Sequence, residues 1–286
     1  MIADKWADYE IIATGGGEKL EKWGDVVLLR PDPQVIWPAA FDLSSYKGLC
    51  AKYTRSSSGG GSWERLKKIP DEWTVGYKDY KFSLKLMGFK HVGLFPEQAS
   101  NWDLISGLIK NAGRQVNVLN LFAYTGGASV AAAMAGAKVT HVDAAKGMVE
   151  RAGLNAKLSN IPNDKIRYIV DDCAKFVTRE IKRGVRYDAV IMDPPSFGRG
   201  AGGEVWRLED NLYSLVKLCS SVLADNPLFF LINSYTTGLQ STALENVLSL
   251  GLGDKISGKG KVEGYEVCLS TGEGIPLPCG YSAMYK

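Results

Sequence analysis

The chain has 286 residues, 45% of them hydrophobic and 23% charged, with a net charge of +3. That length can bury a substantial core and suits one large domain plus a smaller one. So weak a charge excludes a dedicated non-specific nucleic-acid binder, although it permits an RNA or DNA partner.

The apolar runs are about strand length, short of the ~20 residues of a membrane span. Met1 to Trp6 holds no apolar signal core, so a cytoplasmic protein is expected. The cysteines (Cys50, Cys173, Cys219, Cys268, Cys279) are odd in number and lack a Cys-x-x-Cys pair, and His91 and His141 lie far from them. Neither a disulfide framework nor a metal site is expected.

Up to about residue 100 the chain reads as short strands between dense turns. Val26-Val27-Leu28-Leu29-Arg30, Val35-Ile36-Trp37 and Tyr80-Lys81-Phe82-Ser83-Leu84 are apolar or alternating. Turn clusters fall at Thr14-Gly15-Gly16-Gly17, Pro31-Asp32-Pro33 and Ser56 to Ser62. The pattern predicts an antiparallel β-rich domain over 1–98, a candidate for substrate recognition. Trp6, Trp23, Trp37, Trp63, Trp73 and Trp102 fall in this region or just beyond it. They suit a base-stacking surface, but the plainer reading is that large aromatics fill a small β core.

From 99 to 286 the periodicity changes. Helix is predicted at Asn101 to Ala112, strand at 116–121, helix at Gly127 to Ala135 and strand at Lys138 to Asp143. Helix follows at Lys146 to Leu158, strand at Ile166 to Val170, helix at Asp172 to Arg183 and strand at Asp188 to Met192. Then come helix Arg207 to Leu223, strand Leu228 to Ile232 and helix Leu239 to Leu250. Val262 to Ser270 and Tyr281 to Lys286, joined without a helix, should pair antiparallel at the sheet edge. Alternation of this kind indicates a doubly wound, Rossmann-like α/β domain behind the smaller β-rich one.

Ligands of such sheets bind beyond the carboxyl ends of the strands. After the first strand, Asn120 to Gly127 turns into a helix, and Gly126 and Gly127 would let the backbone approach a ligand closely. After the second, Asp143 can accept hydrogen bonds from ribose hydroxyls or act as a helix N-cap. After the third, Asp171-Asp172-Cys173 offers a carboxylate to an adenine amine, with Asp172 the better cap and Asp171 the better ligand. After the fourth, Asp193-Pro194-Pro195-Ser196-Phe197 is stiffened by two prolines, which suits a loop holding an acid and an aromatic at a reacting group.

Asn-Leu-Phe-Ala-Tyr-Thr-Gly-Gly, Val-Asp, Asp-Asp-Cys and Asp-Pro-Pro-Ser-Phe together resemble the class I S-adenosylmethionine-dependent methyltransferases. The nearest resemblance is to the group that modifies large-subunit ribosomal RNA, typified by the 23S rRNA cytosine-C5 methyltransferases. It extends upstream to His91 to Gln98, where that group commonly has Gly-Phe-Phe-Leu-Asp-Gln-Arg, and covers residues ~80 to 235. The resemblance implies a seven-stranded methyltransferase sheet, S-adenosylmethionine as cofactor and RNA as partner, either 23S rRNA or a ribosome assembly intermediate. It implies a monomer or homodimer.

By the same resemblance, Asn120, Phe122, Ala123, Tyr124, Thr125, Gly126, Gly127 and Ala128 hold the methionine end of the cofactor. Asp143 and Ala144 take the ribose, and Asp171, Asp172 and Cys173 the adenine region. Phe95, Glu97 and Gln98 close over the cofactor from the N-terminal side. Asp193, Pro194, Pro195 and Phe197 face the methyl group.

The sequence departs from the group in three respects. The arginine after Gln98 is replaced by Ala99, and the small N-terminal RNA-binding domain is absent. The third is the nucleophile. Methylation of a pyrimidine C5 usually requires a cysteine adding to C6, and the expected places read Pro195-Ser196 and Asn233-Ser234-Tyr235. An exocyclic nitrogen acceptor would need no such residue, since transfer is then mainly positioning.

Arg65, Lys67, Lys68, Arg199 and Arg207 are candidate phosphate contacts, and Gly198 to Gly203 is a candidate mobile loop over substrate. A cofactor-binding protein without transferase activity, a methyltransferase of protein or small molecules, and a nicotinamide dehydrogenase are the competing readings. The incomplete glycine fingerprint argues against the last.

Overall fold

The computed structural model describes residues 1–56, 60–199 and 205–286, which pack as two units. The first comprises Met1–Ser100 with Cys268–Cys279. Strand β1 (Ile2–Ala3) pairs in parallel with Cys268 and Leu269. Strands β2 (Tyr9–Gly15), β3 (Glu18–Trp23), β4 (Val26–Pro31), β5 (Ala51–Arg55) and β6 (Gly61–Arg65) form a sheet in chain order, antiparallel except between β4 and β5. Strands β7 (Trp73–Tyr77) and β8 (Tyr80–Leu84) form a separate hairpin.

Val35-Ile36-Trp37 is not a strand of this sheet. Prolines at 33 and 38 break the ladder on either side. The carbonyls of Val35 and Trp37 instead accept the Gly17 and Gly16 amides at 2.9 and 2.8 Å, leaving Ile36 between them 90% exposed. The tryptophans fill the core: Trp23 is buried, and Trp6, Trp37, Trp63 and Trp73 are half-buried. Ring contacts such as Tyr9–Trp23 (4.3 Å) and Trp6–Tyr77 (4.7 Å) bind this cluster.

The second unit comprises Asn101–Val267 with Gly280–Lys286. After helix α1 (Ala99–Lys110) come β9 (Asn117–Leu121), α2 (Gly127–Met134), β10 (Lys138–Asp143), α3 (Lys146–Leu158), β11 (Ile166–Val170) and α4 (Cys173–Lys182). There follow β12 (Ala189–Met192), β13 (Phe197–Arg199), β14 (Val205–Arg207), α5 (Leu208–Ser220), β15 (Phe229–Ser234) and α6 (Ser241–Leu252). Strands β16 (Val262–Leu269) and β17 (Leu277–Tyr285) complete an eight-stranded sheet, in the order β1-β16-β17-β15-β12-β9-β10-β11.

The five central strands are parallel, and only β17 runs antiparallel to β15. The last strand therefore lies inside the sheet, between β16 and β15, rather than at its edge. It also begins at Leu277, ahead of the predicted Tyr281.

Burial on both faces explains the near-continuous apolar runs Ala189–Met192 and Phe229–Ile232. Leu119, Leu121, Val190, Met192, Phe230 and Ile232 pack beneath Phe176 of α4, Leu212 and Val216 of α5, and Leu244 and Leu248 of α6. The winding reverses at β9, which lies between β10 and β12, so the ligand crevice of this fold falls at the carboxyl ends of β9 and β12.

One element was not predicted. Phe197 to Arg199 pairs antiparallel with Val205 to Arg207, so Gly198 and Arg199 belong to a hairpin. The remainder of the predicted mobile loop, 200–203, lies outside the described residues. Arg207 ends β14, and helix α5 starts one residue later than predicted. Among the described residues no helix is long and apolar enough to cross a membrane.

Candidate active site

The turn after β9 is wound tightly. Phe122 and Tyr124 have φ of 53° and 51°, and Gly126 has 85°. Left-handed conformations at residues other than glycine cost on the order of 1–3 kcal/mol each and persist only where the surroundings fix them.

Three side chains do the fixing. Asp143 Oδ2 accepts the Tyr124 amide at 2.8 Å, Cys173 Sγ accepts the Phe122 amide at 3.3 Å, and Asn155 Nδ2 donates to the Thr125 carbonyl at 2.8 Å. The two glycines do not leave open space as expected. A Cβ on Gly126 would fall 2.8 Å from Ala152 Cβ, and one on Gly127 would fall 2.6 Å from Trp102 Cζ2. The room they create is taken by α3 and α1, so these glycines let the helices close on the turn.

Behind the turn, Asn120 Nδ2 donates to Ser129 Oγ at 2.9 Å, and Ser129 Oγ lies 3.0 Å from His141 Nδ1. All three are buried. Ser129 Oγ thus bridges the Asn120 amide and the imidazole, and His141 Nε2 has no hydrogen-bond partner among the described residues. Burial drives the His141 pKa down to about 4, so the ring is neutral.

Asp143 is not the cap of α3. Its Oδ1 accepts the Ala145 amide at 2.8 Å, an Asx-type turn. Helix α3 itself takes Ala145 as N-cap, with no side-chain bond, and Ala144 lies in the bend between. Two accepted amides still leave lone-pair capacity on a carboxylate, so a ribose diol fits here.

At the next strand end, Asp172 caps α4 by accepting the Lys175 amide at 2.8 Å. Asp171 accepts the Asp172 amide at 2.9 Å and pairs with Arg179, a partner eight residues away that no local signal announces. Burial pushes the Cys173 thiol up to about 12. It is a neutral hydrogen-bond acceptor and carries no thiolate character.

The Asp193–Phe197 loop lies at the adjacent strand end. Asp193 is half-buried, Pro194 buried, Pro195 and Ser196 exposed, and Phe197 54% exposed. Thr236 Oγ1 donates to Ser196 Oγ at 2.6 Å, and the Ser196 carbonyl accepts the Leu208 amide at 3.1 Å. Trp206 Nε1 donates to the Pro195 carbonyl at 2.6 Å, and its ring lies 5.7 Å from that of Phe122. Trp206 thus joins the loop to the β9 turn. Its one sequence signal was being the seventh tryptophan, about a hundred residues beyond the other six.

Asn233, at the other expected cysteine position, accepts from Asn101 Nδ2 (3.0 Å) and Ser282 Oγ (2.7 Å). In the first unit, Phe95 precedes the buried 3-10 turn Pro96–Gln98 that carries Glu97 and Gln98 into α1, with Ala99 fully buried.

A family model described as S-adenosylmethionine-dependent methyltransferase matches residues 34–239. The chain belongs to that family. A crystal structure of an S-adenosylmethionine-dependent methyltransferase from Agrobacterium tumefaciens is 31% identical, with a TM-score of 0.91 over 100% of this chain and 93% of that one. The ribosomal RNA large subunit methyltransferase K/L of Shewanella sp. (strain MR-4) is 30% identical over 232 residues, 77% of this chain and 32% of its own length. A putative ribosomal RNA large subunit methyltransferase of Methanocaldococcus jannaschii is 37% identical over 126 residues, 44% of this chain and 32% of the relative. The chain therefore spans about a third of the length of these curated relatives. A putative methyltransferase complexed with S-adenosylhomocysteine shares the fold, at 20% identity and a TM-score of 0.76 over 99% of this chain and 76% of that one.

S-adenosylmethionine is the cofactor of this methyltransferase family, and the donor set fits it. The β9 turn is held in shape by bonds from outside itself, Asp143 retains lone pairs for a diol, and the small Cys173 lies at the third strand end.

Proposed function

We propose that this chain methylates a base of large-subunit ribosomal RNA, and that the acceptor atom is a nitrogen. The observation that carries the RNA reading is the match of 77% of the chain to a relative named a ribosomal RNA large subunit methyltransferase. The nitrogen reading rests on the thiols. Cys173 is protonated, buried and committed to the Phe122 amide, and Ser196 is engaged by Thr236. A base nitrogen brings its own lone pair and needs no enzyme nucleophile.

When bound, S-adenosylmethionine supplies an electrophilic methyl group on a sulfonium sulfur. In this reading the 120–128 turn takes the methionine end, Asp143 the ribose, and Asp171 the adenine side. The prolines hold Asp193 still, and its carboxylate accepts the proton that an amine loses on methylation. Phe197 stacks on the target base, which must be unpaired or flipped to reach the loop. The roles of Phe95, Glu97 and Gln98 rest on the family resemblance.

Mass spectrometry of rRNA nucleosides from cells with and without the gene tests this. Loss of one N-methylated nucleoside is expected. Loss of a 5-methylpyrimidine would refute the nitrogen reading, and an unchanged profile would refute the rRNA reading.

A further inference from the structure

The first unit carries a feature that the methyl-transfer site does not use. Phe89 and Lys90 are consecutive left-handed residues, with φ of 55° and 65°, and Phe89 is 71% exposed. A large aromatic in this conformation on the surface is costly twice, in backbone strain and in exposed apolar area.

The turn is nevertheless built from below. Arg30 Nη1 donates to the Lys90 carbonyl at 2.8 Å, and Lys90 Nζ donates to the Pro31 carbonyl at 2.8 Å. The half-buried Trp63 donates from Nε1 to the Met87 carbonyl at 2.7 Å, and the Met87 and His91 amides close the turn on the His91 and Gly88 carbonyls. Phe89 Cε1 stands 3.9 Å from the point a Cβ on Gly60 would occupy, so a glycine leaves that side of the ring uncovered.

The charge around Lys90 is unbalanced. Lys90 is influenced by Lys19, Arg30 and Arg55, against Asp32, while Glu21 is paired with Arg30. Asp32 in turn pairs with Lys19 at 3.1 Å, so within this set Lys90 and Arg55 are the cations left without a paired carboxylate. Burial first, and then the neighbouring cations, bring the Lys90 ammonium down to about 8. Arg55 is exposed and able to meet an incoming anion.

We infer that the Gly88–Lys90 turn presents Phe89 as a stacking platform for an unpaired RNA base, with Arg55 meeting the adjoining phosphate. An exposed ring next to basic residues is what sequence-tolerant single-strand binding uses. The surplus positive charge selects a polyanion over an apolar protein surface. The inference rests on the RNA reading above and adds to it a second contact, carried by the first unit.

The test uses the full chain, a short fluorescent single-stranded RNA and its duplex, read by anisotropy at several salt concentrations. Phe89→Ala should weaken single-strand binding about tenfold, and Phe89→Trp should keep it. Arg55→Ala should lower the salt slope by about one. Urea denaturation and S-adenosylmethionine affinity should be those of the wild type in all three, which separates stacking from misfolding. Phe89→Ala binding within about twofold of wild type would overturn the inference and point to a protein partner for this face. Wild type that binds RNA but never labels it from S-adenosylmethionine would count against the methyl-transfer reading alone. Wild type that binds no RNA would overturn both.

Discussion

Gly126→Ala is the substitution whose cost the geometry defines best. The backbone there has φ of 85°, and the new methyl would stand 2.8 Å from Ala152 Cβ and 3.3 Å from Ala152 Cα. An L residue in the left-handed region costs roughly 1–2 kcal/mol. A clash with helix backbone and a methyl that cannot rotate away adds about 1–3 kcal/mol, as overpacking does. The variant should therefore lose about 2–5 kcal/mol in urea denaturation. Its S-adenosylmethionine Kd should rise tenfold or more, about 1.4 kcal/mol, because relief of the clash moves the turn. Ala152→Gly alone should cost about 2 kcal/mol, from glycine in a helix and one lost buried methyl. In the double variant the clash vanishes and the strain remains. Its stability and cofactor affinity should both exceed the additive expectation, with a coupling of about 1–3 kcal/mol. Calorimetry and denaturation of the four proteins decide the matter. Additivity within about 0.5 kcal/mol would show that the α3 contact does not set the turn.

Asp143→Ala removes the acceptor for two backbone amides at once. It should cost about 1.5–3 kcal/mol of stability per charge-assisted bond, and raise the cofactor Kd more than Asp193→Ala does. Asp193→Ala should instead lower turnover at saturating cofactor, and equal Kd increases in the two variants would contradict the assigned roles. His141 and His91 are both held near 4, against an ordinary 6.5, chiefly by burial. The unfolded chain takes up protons that the folded one refuses, so this stability is complete above pH 6.5 and drains away as pH falls toward 4. For His141 the loss is on the order of 3 kcal/mol. His141→Gln should flatten the decline between pH 7 and 4.5, and a variant profile parallel to wild type would refute it. Cys173→Ser, which keeps an acceptor for the Phe122 amide, should keep methyl transfer, and native protein at pH 8 should leave the Cys173 thiol unalkylated by iodoacetamide. Loss of transfer with intact cofactor binding would restore a covalent role for it.

The alternation of strands and helices was legible because each element carries its own period. The buried strands around Val190 and Phe230 are simply apolar, and α3 begins and ends where its pattern does. What failed was what depends on distant partners. Val35-Ile36-Trp37 looks like a strand until its carbonyls are seen to serve the Gly16-Gly17 turn. The Asn120–Ser129–His141 chain joins a strand, a helix and a second strand, with no spacing to reveal it. Trp206 reaches Pro195 only once the β13–β14 hairpin has closed.

The same dependence reshapes what the candidate ligand residues mean. The left-handed Phe122 and Tyr124 have no sequence signature, because neither is glycine, asparagine or aspartate. Yet Asp143 and Cys173, singled out from sequence as cofactor residues, are the side chains that hold those two amides. A carboxylate that accepts the Tyr124 amide fixes the turn before any ribose arrives, and in the proposed function the same group also recognises the ribose. On the proposed reading, substitution at Asp143 acts on the cofactor twice, through a lost contact and through a relaxed turn. Asp143→Asn separates the two. The amide oxygen can keep one backbone bond while the charge is lost, so its stability should fall less than that of Asp143→Ala. If its Kd for S-adenosylmethionine nonetheless matches that of the alanine variant, the lost charge at the ribose dominates. If it stays near wild type, the shape of the turn dominates.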